Sequence, residues 1–417
     1  MMSTPSSILF ISTEEALWGG SDELWYETAL VMSKQGYSIT AVKSRWSTSH
    51  DRYRKLVTAG VNVWSLYDNP KIRRHQRRKQ RWQTMTQYLS KVGFLHDVLS
   101  RYQAFKERIY TYWNLEDYYA FGELYNHLKS HKYDLIVLNQ AENYDGHPYM
   151  NLLGKFNNPY VILSHKASEL LWPSSEILED LQQGFSRAKA SYFVSEHNKE
   201  LTEQQIGSKL SHATIVRNPS KPLKERNTIS IFPSLDQGLN LACIGRFWFL
   251  DKGQDLLINV FRQRKWRERA VYLSFYGSGP HEMALNSLIA MYDLKNVSIK
   301  GYETDIQKIW STHHALLLGS RAEGLPLVLL EAMQCGRAYI GPATAGISEV
   351  IQEGQTGFLA ESASVEAIDK ALERAYNARA ELAGMGEQGT DVAKKRLKED
   401  PTQVFAALIK SHLNTHS

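Results

Sequence analysis

The chain has 417 residues, 43% hydrophobic and 22% charged, an ordinary balance for a globular protein that is long enough for two domains. No apolar run approaches the length of a membrane-spanning helix, and the short apolar stretch at residues 6–12 lacks the basic flank of a signal peptide. Two cysteines, Cys243 and Cys335, exclude a disulfide framework and favour a reducing, cytoplasmic setting.

Short apolar runs alternate with amphipathic helical stretches in both halves of the chain, which is the pattern of parallel α/β architecture. A Gly-rich turn, "WGGSDE" (18–23), follows the first predicted strand and precedes a helix that stops at Gly36. Strands are predicted in the first half at residues 8–12, 38–43, 61–66, 134–139, 160–165 and 190–195.

The pattern lapses between residues 67 and 130 into a basic, aromatic region that we predict to be a helical insertion. Its segment 71–82, "KIRRHQRRKQRW", holds seven basic residues and no acidic one; removing those seven from 49 Lys and Arg leaves 42 against 44 Asp and Glu. The excess positive charge of the chain therefore comes from this one segment. A solvated helix and a surface for anionic membranes both fit it, whereas nucleic acid is not expected because no recognition motif accompanies it.

The second half restarts the alternation after a polar stretch at residues 215–238 that we predict to be a linker. A helix over 253–263 has one apolar face, and a last amphipathic helix is expected over 401–413. A turn is predicted at "EGQTGF" (353–358). Strands are predicted at residues 239–245, 271–277, 297–301, 314–320 and 338–342, and the apolar face of the helix is formed by Leu256, Leu257, Val260 and Phe261.

Two glutamates, Glu323 and Glu331, stand around the apolar run in "SRAEGLPLVLLEAMQCG" (320–336). The strand before them ends at the carboxyl edge of a sheet, where open α/β folds bind ligands. Pro326 at a first helical position places Glu323 at the mouth of a helix and Glu331 on the helix itself. Carboxylates suit paired hydroxyl groups, such as those of a sugar and a ribose. The alternative is that Glu323 caps the helix and Glu331 lies on a solvated face.

The backbone N–H groups of Gly324 and Leu325 precede the same helix and can bind an anion. Arg246 and Lys252, in "IGRFWFLDKG" (244–253), reach the same sheet edge and can neutralise a diphosphate. An exposed ion pair with Asp251 is the alternative for these cations.

Three further positions lie at strand ends. Gly277 and Gly279, in "YGSGP" (276–280), permit close backbone approach. His165 closes the strand "YVILSH", where a structural and a functional histidine are about equally expected.

Taken in order, "WGGSDE", "SHKAS", "VSEHN", "IVRNP", "IGRFWFLDKG", "FYGSGP" and the stretch 320–360 resemble retaining glycosyltransferases of family 4, which have the GT-B fold. The resemblance covers most of the chain and is tight from about 239 to 360. Its most specific element is E-x7-E in the setting S-x2-EG-x-P-x4-EA. Two departures stand out: Glu14 and Glu15 occupy a loop that usually contains proline, and Lys166 follows His165 where Gly or Asp is common.

The resemblance implies two Rossmann-like domains that face each other across a cleft. Residues 1–218 would be the acceptor-side domain, 219–398 the nucleotide-sugar domain, and 399–417 a helix that crosses back. The donor would be a UDP- or GDP-linked sugar, and the acceptor a glycan or a lipid-linked glycan. The residues implied to bind the donor are Gly19, Gly20, Arg246, Lys252, Gly277, Gly279, Gly301, Tyr302, Glu323, Gly324, Leu325, Pro326, Leu327 and Glu331.

By the same resemblance, Glu331 would hold the ribose, Glu323 the donor sugar, and Arg246 with Lys252 the diphosphate. His165 would approach the donor sugar, and it is grouped with Glu323 and the two cations as catalytic. The implied reaction is sugar transfer with retention of configuration, without a metal or another cofactor, in glycan, polysaccharide or glycolipid synthesis. The enzyme would be cytoplasmic, with the inner face of the membrane as a peripheral location.

Two rival functions share the same pocket: a nucleotide-sugar epimerase, which needs no acceptor, and a non-catalytic protein that binds sugar nucleotides. The E-x7-E pattern favours transfer over the first, and the intact set of cations and glutamates disfavours the second. A dinucleotide oxidoreductase is less favoured, because the first loop lacks G-x-G-x-x-G.

Overall fold

The computed structural model describes residues 5–89, 115–220 and 231–413. Of these, the residues within 1–163 and 179–191 and those from 406 onwards form one compact unit. Residues 164–178 and 192–405 form a second. The domain limits expected from the sequence, 218 and 398, stay predictions.

The first sheet has seven strands in the order β3-β2-β1-β4-β5-β6-β7. Its central strand β1 pairs in parallel with both β2 and β4, so the strand order reverses between β1 and β4. The strands are β1 (Ser7–Ser12), β2 (Ser38–Lys43), β3 (Asn62–Ser65), β4 (Leu135–Gln140), β5 (Tyr160–Ser164), β6 (Ser191–Phe193) and β7 (Ala213–Ile215).

Helices connect these strands, as parallel pairing requires. The prediction of helix within 67–130 is confirmed for two stretches, while residues 90–114 lie outside the described part of the chain. The helices are α1 (Glu23–Lys34), α2 (Asp51–Thr58), α3 (Pro70–Leu89), α4 (Leu115–Ser130), α5 (His147–Lys155), α6 (Ser175–Arg187) and α7 (Glu196–Ile206).

The second sheet has six strands in the order β10-β9-β8-β11-β12-β13, so it repeats the topology of the first and reverses between β8 and β11. The pairs β8–β9 and β11–β8 are parallel. The strands are β8 (Leu239–Ile244), β9 (Val271–Tyr276), β10 (Val297–Gly301), β11 (Ala315–Leu317), β12 (Ala338–Pro342) and β13 (Gly357–Ala360).

The helices of this part cover a continuous apolar core. Leu256, Leu257, Val260 and Phe261 are buried in it, as their spacing predicted. The helices are α8 (Phe249–Lys252), α9 (Gln254–Phe261), α10 (Arg264–Glu268), α11 (Glu282–Met291), α12 (Ile306–Trp310), α13 (Leu327–Gln334), α14 (Val365–Asn377), α15 (Leu382–Arg396) and α16 (Pro401–Leu413).

Two strands differ from the sequence prediction. Residues 213–215 form β7, which was not predicted and ends at the first residue of the stretch assigned to a linker. Residues 357–360 form β13, which begins inside the predicted turn and extends beyond it. Both runs are too short to show a period of two, and each is ordered by pairing with a neighbouring strand. In the described ranges, no helix combines the length and the apolarity needed to span a bilayer.

Candidate functional site

The loops that follow β8 and β11 carry the charged residues singled out by the sequence. Residues 245–253 leave the end of β8, and residues 318–326 leave the end of β11. Because the strand order reverses between these two strands, their loops flank the crevice in which open α/β sheets bind ligands. The structure therefore brings Lys252 and Glu323 together at one sheet edge, as predicted.

Lys252 and Glu323 form an ion pair at this edge. The Lys252 Nζ lies 2.7 Å from Glu323 Oε1 and 2.8 Å from Oε2. The lysine side chain is 30% exposed and the glutamate side chain 8% exposed. Two parts of the alternatives weighed from the sequence are wrong: Glu323 does not cap the helix, and Asp251 pairs with Lys166 rather than with Lys252.

The loop after β11 is fixed to α8 by a residue whose role the sequence did not reveal. The backbone amide of Arg321 donates to the carbonyl of Asp251 at 2.7 Å. Its guanidinium binds both carboxylate oxygens of Asp255, at 2.9 and 2.7 Å, and the carbonyl of Phe249. The hydrogen-bonded Asp255 carboxylate raises the pKa of Arg321 above its ordinary value. A bidentate arginine thus holds the Lys252 helix and the Glu323 loop in one geometry.

Close backbone contact between the same loops requires glycine at Gly253. Its φ of 59° is left-handed, and a Cβ there would lie 1.9 Å from the carbonyl oxygen of Gly319. Any other residue would push the two loops apart. The sequence signal for this contact was only the Gly after Lys252.

Gly277 and Gly279 permit close approach, and the group that approaches is the chain's own backbone. A Cβ on Gly279 would lie 2.6 Å from the carbonyl oxygen of Phe247, and one on Gly277 would lie 2.1 Å from that of Gly245. The Gly277 amide donates to the carbonyl of Gly301 at 2.8 Å. These glycines therefore pack the strand-end loops together beside Arg246, which is exposed.

Gly301 and Tyr302 lie at the open end of β10. Gly301 has a φ of 77° with open space around its Cα, and the Tyr302 side chain is 78% exposed. Both are accessible to a ligand.

Helix α13 begins at Leu327, one residue later than predicted, with Pro326 as its N-cap. Pro326 has no N–H group, so it contributes backbone shape rather than a donor. Within the described ranges, no acceptor is recorded for the amides of Gly324 or Leu325. Glu331 lies on the second turn of α13 and is half-buried. The mouth of this helix therefore presents donors next to the Glu323 carboxylate.

His165 follows β5 and is grouped with the second unit. Its side chain is buried, and its carbonyl accepts a hydrogen bond from Asn198 Nδ2 at 3.2 Å. A Cβ on Gly324 would lie 2.1 Å from this same carbonyl oxygen. The structure thus places the His165 backbone directly against the Glu323 loop.

Gly19 and Gly20 belong to the first unit. The Gly19 amide donates to Asp22 Oδ2 at 3.1 Å, and a Cβ on Gly19 would lie 2.7 Å from Glu14 Oε2. The carboxylates of Glu14 and Asp22 therefore lie directly beside this turn.

Residues 238–378 match the protein-family model described as "Glycosyl transferases group 1". An uncharacterized glycosyltransferase of Haemophilus influenzae is 24% identical over 186 residues, 44% of this chain and 50% of that protein. The N-acetyl-alpha-D-glucosaminyl L-malate synthase of Bacillus anthracis is 37% identical over 90 residues, 21% of this chain and 24% of that protein. The chain thus spans half or less of the length of these relatives.

Solved structures resemble the whole chain. Anabaena Alr3699/HepE in complex with UDP and glucose has a TM-score of 0.66 at 15% identity, covering 97% of this chain and 100% of that one. Sucrose-phosphate synthase from Thermosynechococcus elongatus has a TM-score of 0.68 at 15% identity, covering 99% and 100%. The predicted fold is confirmed: this chain has the GT-B fold of two Rossmann-like sheets, and its segment 238–378 matches the group 1 glycosyltransferases.

Proposed function

We propose that the protein is a retaining glycosyltransferase that moves a sugar from a nucleoside-diphosphate donor to an acceptor hydroxyl group. The observation that carries this proposal is the contact between Lys252 and both oxygens of Glu323 at the reversal point of the second sheet. It joins a cation for phosphate and a carboxylate for hydroxyl groups in one place. The match of this segment to the group 1 glycosyltransferases supports the assignment.

The ion pair between Lys252 and Glu323 is compatible with donor binding. A lysine ammonium has three N–H donors, and Glu323 takes two of them. The third is left for a phosphate oxygen, while the glutamate can accept from a sugar hydroxyl. Arg246, exposed beside the glycine-packed loops, would bind the same diphosphate.

The other roles follow the expectations from the sequence. Glu331 would bind the ribose hydroxyls, and the amides of Gly324, Leu325 and Leu327 would face the donor. His165 would lie near the donor sugar, and Gly301 with Tyr302 near the base. Gly19, Gly20, Gly277, Gly279 and Pro326 would shape the loops around the donor, which we take to be UDP- or GDP-linked.

In the proposed reaction, the bond between the anomeric carbon and the diphosphate oxygen breaks as the acceptor oxygen bonds that carbon from the same face. The acceptor proton passes to a diphosphate oxygen, and the nucleoside diphosphate leaves. Lys252, Arg246 and the amides stabilise the charge that develops on the leaving group, so no metal is required. Neither glutamate acts as a nucleophile, unlike the carboxylate pair of a retaining glycosidase.

The test uses the purified chain with UDP- and GDP-sugars and EDTA. A thermal-shift screen first identifies the nucleotide that stabilises the chain. Product formation with a panel of glycan and lipid-linked acceptors is then followed by NMR, which reads the configuration of the new bond. Arg246→Met should lower turnover strongly, while the exposed Arg264→Met should not. Epimerised donor without acceptor would establish the epimerase instead, and binding without turnover a non-catalytic protein.

The basic face of α3 supports a second element of the proposal, contact with an anionic membrane surface at the cytoplasmic side. Arg73, Arg74, Arg77 and Arg78 are exposed, while Ile72 is buried. At 100° per residue these arginines share an arc of about 140° that faces away from Ile72. Asp68 Oδ1 lies 3.4 Å from Arg73 Nη1 at the start of this arc. The arc of like charge suits anionic lipid headgroups, each base adding about 1 kcal/mol.

Co-sedimentation with phosphatidylglycerol vesicles tests this surface. Reversal of the four arginines to Glu should abolish salt-sensitive binding. The matched control reverses Lys394 and Lys395, which are exposed on α15, and should bind as the wild type does. Equal binding of both variants would identify α3 as a solvated helix.

A further inference from the structure

A second ion pair lies beside the candidate site. The Lys166 Nζ is 2.8 Å from Asp251 Oδ2, and the side chains are 17% and 14% exposed. Asp251 is on α8, directly before Lys252. Lys166 follows His165, where the resemblance led us to expect Gly or Asp. A lysine that departs from the family pattern is thus bound to the neighbour of the proposed phosphate-binding residue.

Helix α8 needs such polar contacts because it has only four residues and none of them is buried. Its N-cap, Trp248, makes no side-chain capping bond. The carbonyl of Asp251 accepts from the amides of Arg321 and Ala322, at 2.7 and 3.2 Å, and its carboxylate binds Lys166. Hydrogen bonds and charge, rather than apolar packing, therefore fix the position of Lys252.

The turn that carries Lys166 is itself anchored. The carbonyl of His165 accepts from Asn198 Nδ2 at 3.2 Å and lies where a Cβ on Gly324 would clash. Because this anchor also touches the Glu323 loop, Lys166 reaches Asp251 from a fixed point. It is preorganised for the pair.

The ion pair between Lys166 and Asp251 also affects the electrostatic potential at Lys252. Without Lys166, the Asp251 carboxylate would be an uncompensated anion one residue from Lys252. Its negative charge would weaken the positive potential around the Lys252 ammonium and so disfavour a phosphate there.

We propose that Lys166 is a positioning residue for the diphosphate: by neutralising Asp251, it holds α8 in place and leaves the Lys252 ammonium available to the ligand. This inference rests on the proposed function, since it concerns the same donor site. It adds a residue that the E-x7-E pattern does not include.

The experiment compares the affinities for a nucleoside diphosphate and the matching monophosphate, using UDP with UMP and GDP with GMP, by calorimetry. Lys166→Met should reduce the preference for the diphosphate about fivefold, the size expected on losing a partly exposed ion pair, and leave the monophosphate unchanged. Asp251→Asn in the Lys166→Met background should restore the preference, because it removes the uncompensated carboxylate. Lys166→Arg should keep it. Lys370→Met, which breaks an exposed pair with Glu366, is the matched control without effect.

An unchanged preference in Lys166→Met, or a loss that Asp251→Asn does not restore, overturns this inference while the proposed function stands. Equal weakening of both nucleotides also overturns it, because that result indicates a general structural defect. A wild-type chain that binds no nucleoside diphosphate overturns the proposed function and this inference together.

Discussion

The first sheet reverses its strand order between β1 and β4, and the second between β8 and β11, so the chain contains the same crevice topology twice. Each reversal point has a lysine paired with a carboxylate. In the first, Lys43 Nζ lies 2.6 Å from Asp22 Oδ2 and both side chains are 0% exposed. In the second, Lys252 pairs with Glu323, and the lysine side chain is partly exposed to solvent.

Burial decides what each pair can do. Asp22 also accepts hydrogen bonds from Ser12 Oγ, at 2.8 Å, and Trp25 Nε1, at 2.9 Å, so its oxygens are occupied inside the fold. Lys252 can exchange solvent for a ligand. Topology therefore places a crevice in both sheets. At the first reversal point the buried pair stabilises the fold, and at the second the partly exposed pair forms a candidate binding site.

The largest effect is expected from breaking the buried ion pair between Lys43 and Asp22. Asp22→Ala leaves the Lys43 charge unpaired in the interior and should lower the free energy of unfolding of the first unit by about 3–5 kcal/mol. Hydrogen exchange of the β1 and β2 amides during urea unfolding measures this. Asp51→Ala, which breaks an exposed pair with Lys55, should change the free energy of unfolding little, because solvent screens that pair. A stable Asp22→Ala variant that loses only activity would make the first reversal point functional.

A second prediction concerns pH at the first reversal point. Burial raises the pKa of the Asp145 carboxyl, in the loop after β4, to about 7. In the unfolded chain this group loses its proton near pH 4, so between about pH 4 and 7 the unfolded state binds fewer protons. The free energy of unfolding should therefore fall by about 2–4 kcal/mol as pH rises through this window.

Asp145→Asn should remove that slope, because the amide stays neutral and can still accept from the backbone amides of Ala141 and Glu142. The slope is measured by urea unfolding at several pH values. Asp236→Asn, on the exposed surface, is the control and should keep it. A slope that survives in Asp145→Asn would show that another group titrates.

At the second reversal point, Lys252→Met should lower kcat/KM for the nucleotide sugar about 100-fold, because it removes charge stabilisation of the leaving diphosphate. Stability should also fall, because Glu323 is 8% exposed and loses its partner, but by less than in Asp22→Ala, since this pair is not fully buried. Steady-state kinetics and a thermal melt measure the two effects. Lys295→Met, which breaks an exposed pair with Asp293, should leave both unchanged. Unaltered kinetics in Lys252→Met would remove the second reversal point as the donor site.

Much of the fold could be predicted because its elements are long or clearly bounded. The limits of β2, β10, β12 and α16 match the prediction to the residue. Alternating apolar runs and flanking Gly or Pro carry this information locally. β13 was missed because four residues after a turn are too few to show the apolar–polar alternation of a strand. It is ordered by pairing with β12.

The site could be predicted only as residues at sheet edges, without their partners. The sequence placed Lys252 and Glu323 at one edge, since strand ends of a parallel sheet share an edge. It offered Asp251 as the ion-pair partner of Lys252 and did not foresee Glu323, because that pairing depends on how two loops 71 residues apart approach each other. The ion pair between Arg321 and Asp255 could not be predicted from the sequence for the same reason.

The smallest effect is expected from the close approach behind Glu323. Gly324→Ala puts a Cβ 2.1 Å from the His165 carbonyl oxygen, so the loop must shift by about 1 Å to restore ordinary van der Waals contact. We expect a loss of about tenfold in kcat/KM, because the misplaced carboxylate no longer shares Lys252 with the ligand. Gly384→Ala, within α15 and with open space around it, is the matched control and should stabilise the chain by about 0.5–1 kcal/mol. If Gly324→Ala kept full activity, the geometry of the Glu323 loop would not limit the reaction, and charge alone would distinguish the second reversal point from the first.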